Sequence, residues 1–404
     1  MGAQPAGTAW PEDGELPSEK VGDGSSPFAA YVHVPFCTVR CGYCDFNTYT
    51  KDFGPGANLA TYGESVEKEI RDSQRILEAA GLPARPLRSV FFGGGTPSLM
   101  SPDAIARILD VLEAAHGFAD SPEVTLELNP ETASEQRIRR FRAAGVTRLS
   151  VGMQSASPRV LGILDRTHTP SNVPLAINWA QEAGLGTSLD LIYGSPTETL
   201  GEWEASLEAA IQMNPDHLSA YSLIVEPGTK MAAQVARGEL PEPDPDLDAE
   251  KYVLADRLLG DAGYSWYELS NFAKSEEDRS VHNLAYWRGW DWWGYGPGAH
   301  SHLGGLRWWN VKHPLAYAGK VSRDTSPGFQ GELLTLEDQR VEAVMLGIRT
   351  REGLLVTPQN KAAGERLVQE GLVDQDFFAE GSLTLTLKGR LLADLVTRTL
   401  LGWE

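Results

Sequence analysis

Cysteine is scarce in this 404-residue chain: there are three, all within the eight-residue window Cys37-Thr38-Val39-Arg40-Cys41-Gly42-Tyr43-Cys44. An odd number of thiols in so long a chain excludes a disulfide framework, and nothing at the N-terminus has the form of a secretory signal, so the thiols are expected to stay reduced. Positive charge is also in short supply, with 35 Lys and Arg against 55 Asp and Glu and a formal net charge of −20. A surface that acidic repels phosphate backbones and argues against nucleic acid as a partner. No apolar run approaches the roughly 18 uninterrupted residues of a membrane span. These absences lead to the expectation of a soluble, cytoplasmic protein without a transmembrane segment, and a 42% hydrophobic content supplies ample material for a core.

What is present points to a metal. Three thiolates can hold three corners of a four-iron four-sulfur cubane and leave the fourth iron open to another ligand. The competing reading is a closed zinc site of three cysteines and a histidine, with His33 as the fourth ligand. Spacing alone leaves both standing.

Residues 1–27 are rich in Gly, Pro, Ser and acidic side chains without apolar period and read as a disordered tail. From Tyr31 onward, short apolar or β-branched runs alternate with helical patterns, which predicts βα units and a parallel sheet. Strands are expected at Tyr31–Val34, Ser89–Phe92, Glu123–Leu128, Arg148–Gly152, Thr187–Ile192 and Leu218–Val225, with helices at Tyr62–Ala80, Pro102–Ala115 and Ser134–Ala144. Six such units suit an α/β fold of the partial (β/α)6 barrel type. Polar and glycine residues cluster just after the strands: Cys37 to Cys44, Gly93-Gly94-Gly95-Thr96-Pro97, Glu127, Gln154 and Asp190. Ligands of parallel α/β folds bind outside the carboxyl ends of the strands, so these residues should converge.

Cys37-x3-Cys41-x2-Cys44 after the first strand, with Gly-Gly-Gly-Thr-Pro after the second, resembles the radical S-adenosylmethionine (SAM) superfamily. Tyr31-Val-His-Val-Pro-Phe-Cys37, Val151-Gly-Met-Gln154 and Asp190-Leu-Ile-Tyr-Gly-Ser-Pro196 narrow the resemblance to the branch of oxygen-independent coproporphyrinogen III oxidases and heme chaperones. It runs from about Phe28 to the C-terminus. The resemblance implies a radical SAM barrel at residues 28–265, with a [4Fe-4S] cluster on Cys37, Cys41 and Cys44 and SAM on its open iron. It implies backbone contacts to SAM from Gly94, Gly95 and Thr96, further contacts from Glu127, Gln154, Arg166 and Asp190, and Tyr31 and Tyr43 flanking SAM near the cluster. A reduced cluster of this kind cleaves SAM to methionine and a 5′-deoxyadenosyl radical, for which an electron donor is required.

Within the branch, the oxidases carry a further cysteine two positions after the third cluster ligand, where this chain has Phe46. The run Cys44-Asp-Phe-Asn47 resembles the heme chaperone group instead. Residues 266–334 form a Trp- and His-rich connecting region: Trp287 to Trp309 hold six of the eleven tryptophans, and His282 to His313 four of the eight histidines. There His282-Asn-Leu-Ala-Tyr-Trp287 matches an element associated with heme in the chaperone group. His282 is therefore the expected iron ligand, with His300 and His302 as alternatives and Arg288 or Arg307 as partners for propionates. Residues 335–404 carry helical patterns at Glu337–Gly347 and Glu365–Gly371, then strand alternation from Ser382 to Leu387, and suggest a small winged-helix-like α+β domain that docks protein. The expected function is a heme chaperone with a heme donor and an acceptor hemoprotein as partners. The alternatives are radical decarboxylation of coproporphyrinogen III, and a zinc-stabilised or electron-transferring protein that uses no SAM.

Overall fold

A computed structural model describes residues 6–17 and 21–403. Six strands, β2 (Phe28–Val34), β3 (Leu87–Gly94), β4 (Phe118–Leu128), β5 (Arg148–Gln154), β6 (Gly186–Tyr193) and β7 (His217–Ser222), pair in sequence order, every neighbour parallel. Intervening helices, including Tyr62–Ala79, Pro102–His116 and Glu135–Ala143, cover the outside. Helix starts follow local chemistry. Ser101 Oγ accepts the Ala104 N–H at 3.1 Å, with Pro102 in the first turn. Along β4 to β6 the outward residues Leu126, Leu128, Leu149, Val151, Leu189 and Leu191 are buried beneath these helices, while the alternate positions turn inward. The sixth strand ends earlier than expected, at Ser222, and the chain then runs as a loop to the helix Lys230–Ala236.

The barrel sheet continues past both of its edges. Beyond β7 lie β9 (Asn271–Ala273) and β8 (Ser265–Glu268), both antiparallel. Beyond β2 lie β10 (Asp291–Tyr295), parallel to it, then β11 (His300–Leu303), β12 (Leu306–Asn310), β13 (Gly328–Leu333) and β1 (Thr8–Ala9), all antiparallel. Residues 266–334 are thus the two flanks of one thirteen-stranded sheet, and the connecting region expected from sequence is part of the barrel's own architecture.

Two further expectations change. The N-terminal tail is packed where it is described: Thr8 and Ala9 pair with Gly331 and Gln330, Trp10 stacks on Trp308 at 5.0 Å between centroids, and Leu16 and Val21 are buried. Composition misled because a few apolar residues find their partners some 320 positions later; residues 1–5 and 18–20 lie outside the described part. In the C-terminal unit, the alternation after Ser382 yields only β15 (Ser382–Leu383), paired with β14 (Leu354–Leu355), and an isolated bridge at Leu385. Two helices, Leu387–Leu391 and Ala393–Leu401, then follow. This unit has its own core of Ile348, Leu367, Leu372, Val373, Leu383, Leu385, Ala393 and Val396. Arg390 fastens it to the barrel, 2.6 Å from Asp256 and with its guanidinium 4.5 Å from the Trp266 ring centroid.

One ion pair ties the added flank to the barrel. Arg85 Nη1 lies 2.6 Å from Asp291 Oδ2, with Asp291 buried and the Arg85 side chain nearly so, while Asp291 Oδ1 accepts the Gly304 N–H at 2.8 Å and the guanidinium sits 4.7 Å from the Phe28 centroid. Removing one member strands the other as a buried charge, at a cost of about 3–5 kcal/mol. Asp291→Ala is therefore expected to lower the thermal midpoint clearly, and a further Arg85→Met change on that background should restore part of the loss. A double variant less stable than Asp291→Ala would contradict the assignment.

Candidate cofactor site

The chain after β2 turns back on itself so that Cys37, Cys41 and Cys44 line one end of a cavity of about 460 Å³. Backbone bonds fix this loop: Cys37 N–H to Tyr49 O at 3.0 Å, Cys44 N–H to Cys41 O at 3.2 Å, and Met231 N–H to Gly42 O at 2.9 Å. Asn47 Nδ2 straps it to the added flank, donating to Pro297 O at 2.9 Å and Lys312 O at 2.8 Å. The glycine loop after β3 is zipped to the same segment, Gly95 N–H to Val34 O and Thr96 N–H to Phe36 O, each 2.8 Å. No side chain fits at two of its positions. A Cβ on Gly94 would lie 2.5 Å from His33 Cε1, and one on Gly95 would lie 2.6 Å from Phe36 O and 3.0 Å from Cys37 Sγ. Gly94 also has φ +109°, a conformation glycine adopts freely.

Every expected SAM residue except Tyr31 lines this cavity: Tyr43, Gly94, Gly95, Thr96, Glu127, Gln154, Arg166 and Asp190. Glu127 accepts the Gly94 N–H at 3.1 Å. Gln154 reaches inward because the register breaks between Gly152 and Gln154, which adopts φ +65°. Arg166 places Nη1 3.7 Å from Cys41 Sγ and donates from Nη2 to Gly152 O at 3.0 Å. Asp190 accepts from Ser150 Oγ at 2.7 Å and Ser219 Oγ at 2.8 Å, which fixes both oxygens. Burial, joined by the neighbouring thiols and opposed by a Thr96 hydrogen bond, pushes the Cys37 thiol up to about 11, and burial raises Cys44 as well. Tyr31 lies behind this wall, its hydroxyl 3.0 Å from His33 Nδ1. His33 Nε2 is occupied in turn by Asn47 O at 2.9 Å, so His33 has no nitrogen to offer a metal and the zinc alternative loses its fourth ligand.

At the mouth, three apolar side chains stand in solvent: Val39 (50% exposed), Phe46 (57%) and Ile224 (68%). The inner end is closed by the helix Val281–Trp287, whose residue Asn283 and N-cap Ser280 line the cavity. Glu123 in the middle of β4 holds that helix, accepting the Val281 and His282 N–H groups at 3.0 Å each. Its side chains fill the β2–β3 half of the barrel. His282 stacks on Phe91 at 5.0 Å, and its Nδ1 and Nε2 lie 3.0 Å from Ser89 Oγ and Tyr286 Oη.

The heme candidates are therefore placed very differently from one another. His282 is 1% exposed, with both nitrogens engaged inside the barrel, so it is no open ligand in this conformation. His302 is bonded to Trp290 O and the Gly305 N–H, whereas His300 is exposed and stacks on Trp309 at 5.6 Å. Arg288 is paired with Glu352 and Arg307 with Glu342. Trp293, Trp308 and Trp309 are buried core.

The radical SAM superfamily model matches residues 31–210. The chain is 44% identical to a heme chaperone HemW of Mycobacterium tuberculosis (strain CDC 1551 / Oshkosh), over 93% of this chain and 95% of that one. It is 32% identical to heme chaperone HemW of Bacillus subtilis (strain 168), over 93% and 99%. The solved coproporphyrinogen III oxidase HemN of Escherichia coli shares the fold, with a TM-score of 0.78, 24% identity and coverage of 97% and 96%. By fold and sequence this is a radical SAM protein. Within that superfamily, the chain belongs to the HemW family.

Several inward residues escaped the sequence reading: Thr125, Arg148, Ser188, His217 and Asn283 all line the cavity. The available signal was the polar alternation Arg148, Ser150, Gly152 and His217, Ser219, Tyr221, which marks a polar inner face where a packed barrel would carry aliphatic residues.

Burial, reinforced by Asp190 and opposed by the Gly94 N–H, pushes Glu127 up from 4.5 to about 8. Between those values the folded chain retains a proton that the unfolded chain has released, so this group makes stability fall as pH rises through the window. In SAM-free protein, Glu127→Gln should lose less thermal stability than the parent between about pH 5 and pH 8. Parallel profiles would show that Glu127 is ionised throughout.

Proposed function

We propose that this chain is a heme chaperone: it holds a [4Fe-4S] cluster on Cys37, Cys41 and Cys44 with SAM in the adjoining cavity, binds heme, and passes it to an acceptor hemoprotein. The observation that carries this reading is kinship along the whole chain, 44% identity to a heme chaperone over 93% of its length. Phe46 agrees with it, standing exposed at the mouth where the oxidases of the branch carry a cysteine. The glycine loop, Glu127, Gln154, Arg166 and Asp190 supply the backbone approach, hydrogen bonds and charge that an aminocarboxylate and a ribose require. A bound, reduced cluster supplies the electron for SAM cleavage; the protein's part is to orient SAM and exclude water. Residence in the cytoplasm, an external electron donor and indifference to nucleic acid belong to the same proposal. Among the described residues no helix is long and apolar enough to cross a membrane.

His282 remains the iron ligand in this proposal, with a condition set by its surroundings. In the tautomer that donates from Nδ1 to Ser89, Nε2 keeps its lone pair, which the Tyr286 hydroxyl engages. Burial lowers the ring to about 3, so it stays neutral, the form that binds iron. A bond from the distal ring nitrogen to a fixed acceptor is what orients metal-binding histidines. Ligation then requires the helix Val281–Trp287 to leave the barrel.

The test is an anaerobic heme titration of cluster-reconstituted protein followed by Soret absorbance, with His282→Ala and His300→Ala beside the parent. Saturable one-to-one binding weakened by His282→Ala is expected. Weakening by His300→Ala alone would move the ligand to the exposed flank, and absence of specific binding by the parent would overturn the chaperone reading. Under the same reading, incubation with coproporphyrinogen III, SAM and reductant should release no protoporphyrinogen IX above a Cys41→Ala control.

A further inference from the structure

The β4–β7 half of the barrel holds a polar recess that the cofactor residues do not use. Among the described residues that line the cavity, two carry a buried side-chain polar atom without a hydrogen-bond partner: Arg148 at Nη2 and Thr125 at Oγ1. They stand directly opposite one another, Thr125 on β4 pairing with Arg148 on β5, and both side chains point inward. A buried hydroxyl or guanidinium nitrogen without a partner costs free energy, and an unpaired cationic one costs more.

Arg148 is only partly satisfied by its neighbours. Nη1 donates to Asp278 O at 2.9 Å and lies 3.7 Å from Glu123 Oε2, but the Glu123 carboxylate already accepts two backbone N–H groups and the Ser280 hydroxyl. The surrounding hydroxyls are committed elsewhere, Ser150 and Ser219 to Asp190 and Ser188 to His217 Nδ1 at 2.7 Å. One cationic N–H and one hydroxyl thus sit enclosed on paired residues of the cavity wall, and a small turn of the two side chains brings them to its surface.

We propose that this recess is a second binding site, for the carboxylate of a small organic molecule, with one oxygen on Arg148 Nη2 and the other on Thr125 Oγ1. A singly charged, planar acceptor suits it: guanidinium and carboxylate match in geometry, whereas Glu123 beside Nη1 and Asp190 nearby oppose the second charge of a phosphate. Phe91 lines the same cavity and offers an apolar surface to the rest of the molecule. The site is independent of heme, and it gives the barrel a place for a substrate facing SAM.

Ligand-observed saturation-transfer NMR on the full chain, cluster-reconstituted and anaerobic, tests this with sodium butyrate and sodium phosphate as probes. The parent binds butyrate saturably and more tightly than phosphate. Arg148→Gln weakens butyrate about tenfold or more, the effect of losing a hydrogen bond to a charged group. Thr125→Val, isosteric and leaving Arg148 and Glu123 in place, weakens it about threefold or more by loss of the hydroxyl's hydrogen bond to the carboxylate. It reads the same site should Arg148→Gln fold poorly. No saturable butyrate binding by the parent, or binding unaltered in both variants, overturns the site. Phosphate binding tighter than butyrate overturns the carboxylate assignment.

Discussion

Two backbone hydrogen bonds, Gly95 N–H to Val34 O and Thr96 N–H to Phe36 O, hold the site together. They extend the β2–β3 pairing beyond the ends of the strands, so that the cysteine segment and the glycine loop form one surface. A Cβ at Gly95 would push against the Val34 and Phe36 carbonyls and against Cys37 Sγ. The demand for glycine there is therefore steric and backbone-made, and the cofactor residues of β4 to β6 are arrayed around a wall that is already rigid. Asn47 and His33 complete the brace by bonding the cysteine segment to the flank and to β2.

The barrel interior is divided between two solvents. On the β2–β3 side, Tyr31 and Phe91 pack against His282, and the interior is filled. On the β4–β7 side, hydroxyls, carboxylates and Arg148 line open space. Water-free burial of so many polar groups is unfavourable unless each finds a partner, and most of them do so through pairs across neighbouring strands. The plug helix is what allows one barrel to be core on one side and a ligand chamber on the other.

Much of this was legible in the chain. The six parallel strands announced themselves as short apolar runs separated by helical periods, and the positions just after them carried the cysteines, glycines and carboxylates that do converge. The features that were missed share a cause. β8 to β13 are three to six residues long, too short for a period to register, and β1 is two residues whose partner lies at Gly331. The plug helix spans seven residues, and no local pattern says that His282 faces inward between Ser89 and Tyr286. In the sequence Arg148 is only the first residue of an expected strand; the pairing of β4 with β5 is what places it opposite Thr125.

The helix Val281–Trp287 seals the back of the barrel, with Glu123 as its latch. A chamber with one door imposes a queue. With SAM held as proposed, whatever lies deepest would enter before it and leave after it, an order of events set by the architecture before any affinity is considered. Release of the latch would open a second door, turning a dead end into a passage, and a motion that bares His282 would also let the deepest occupant leave from behind.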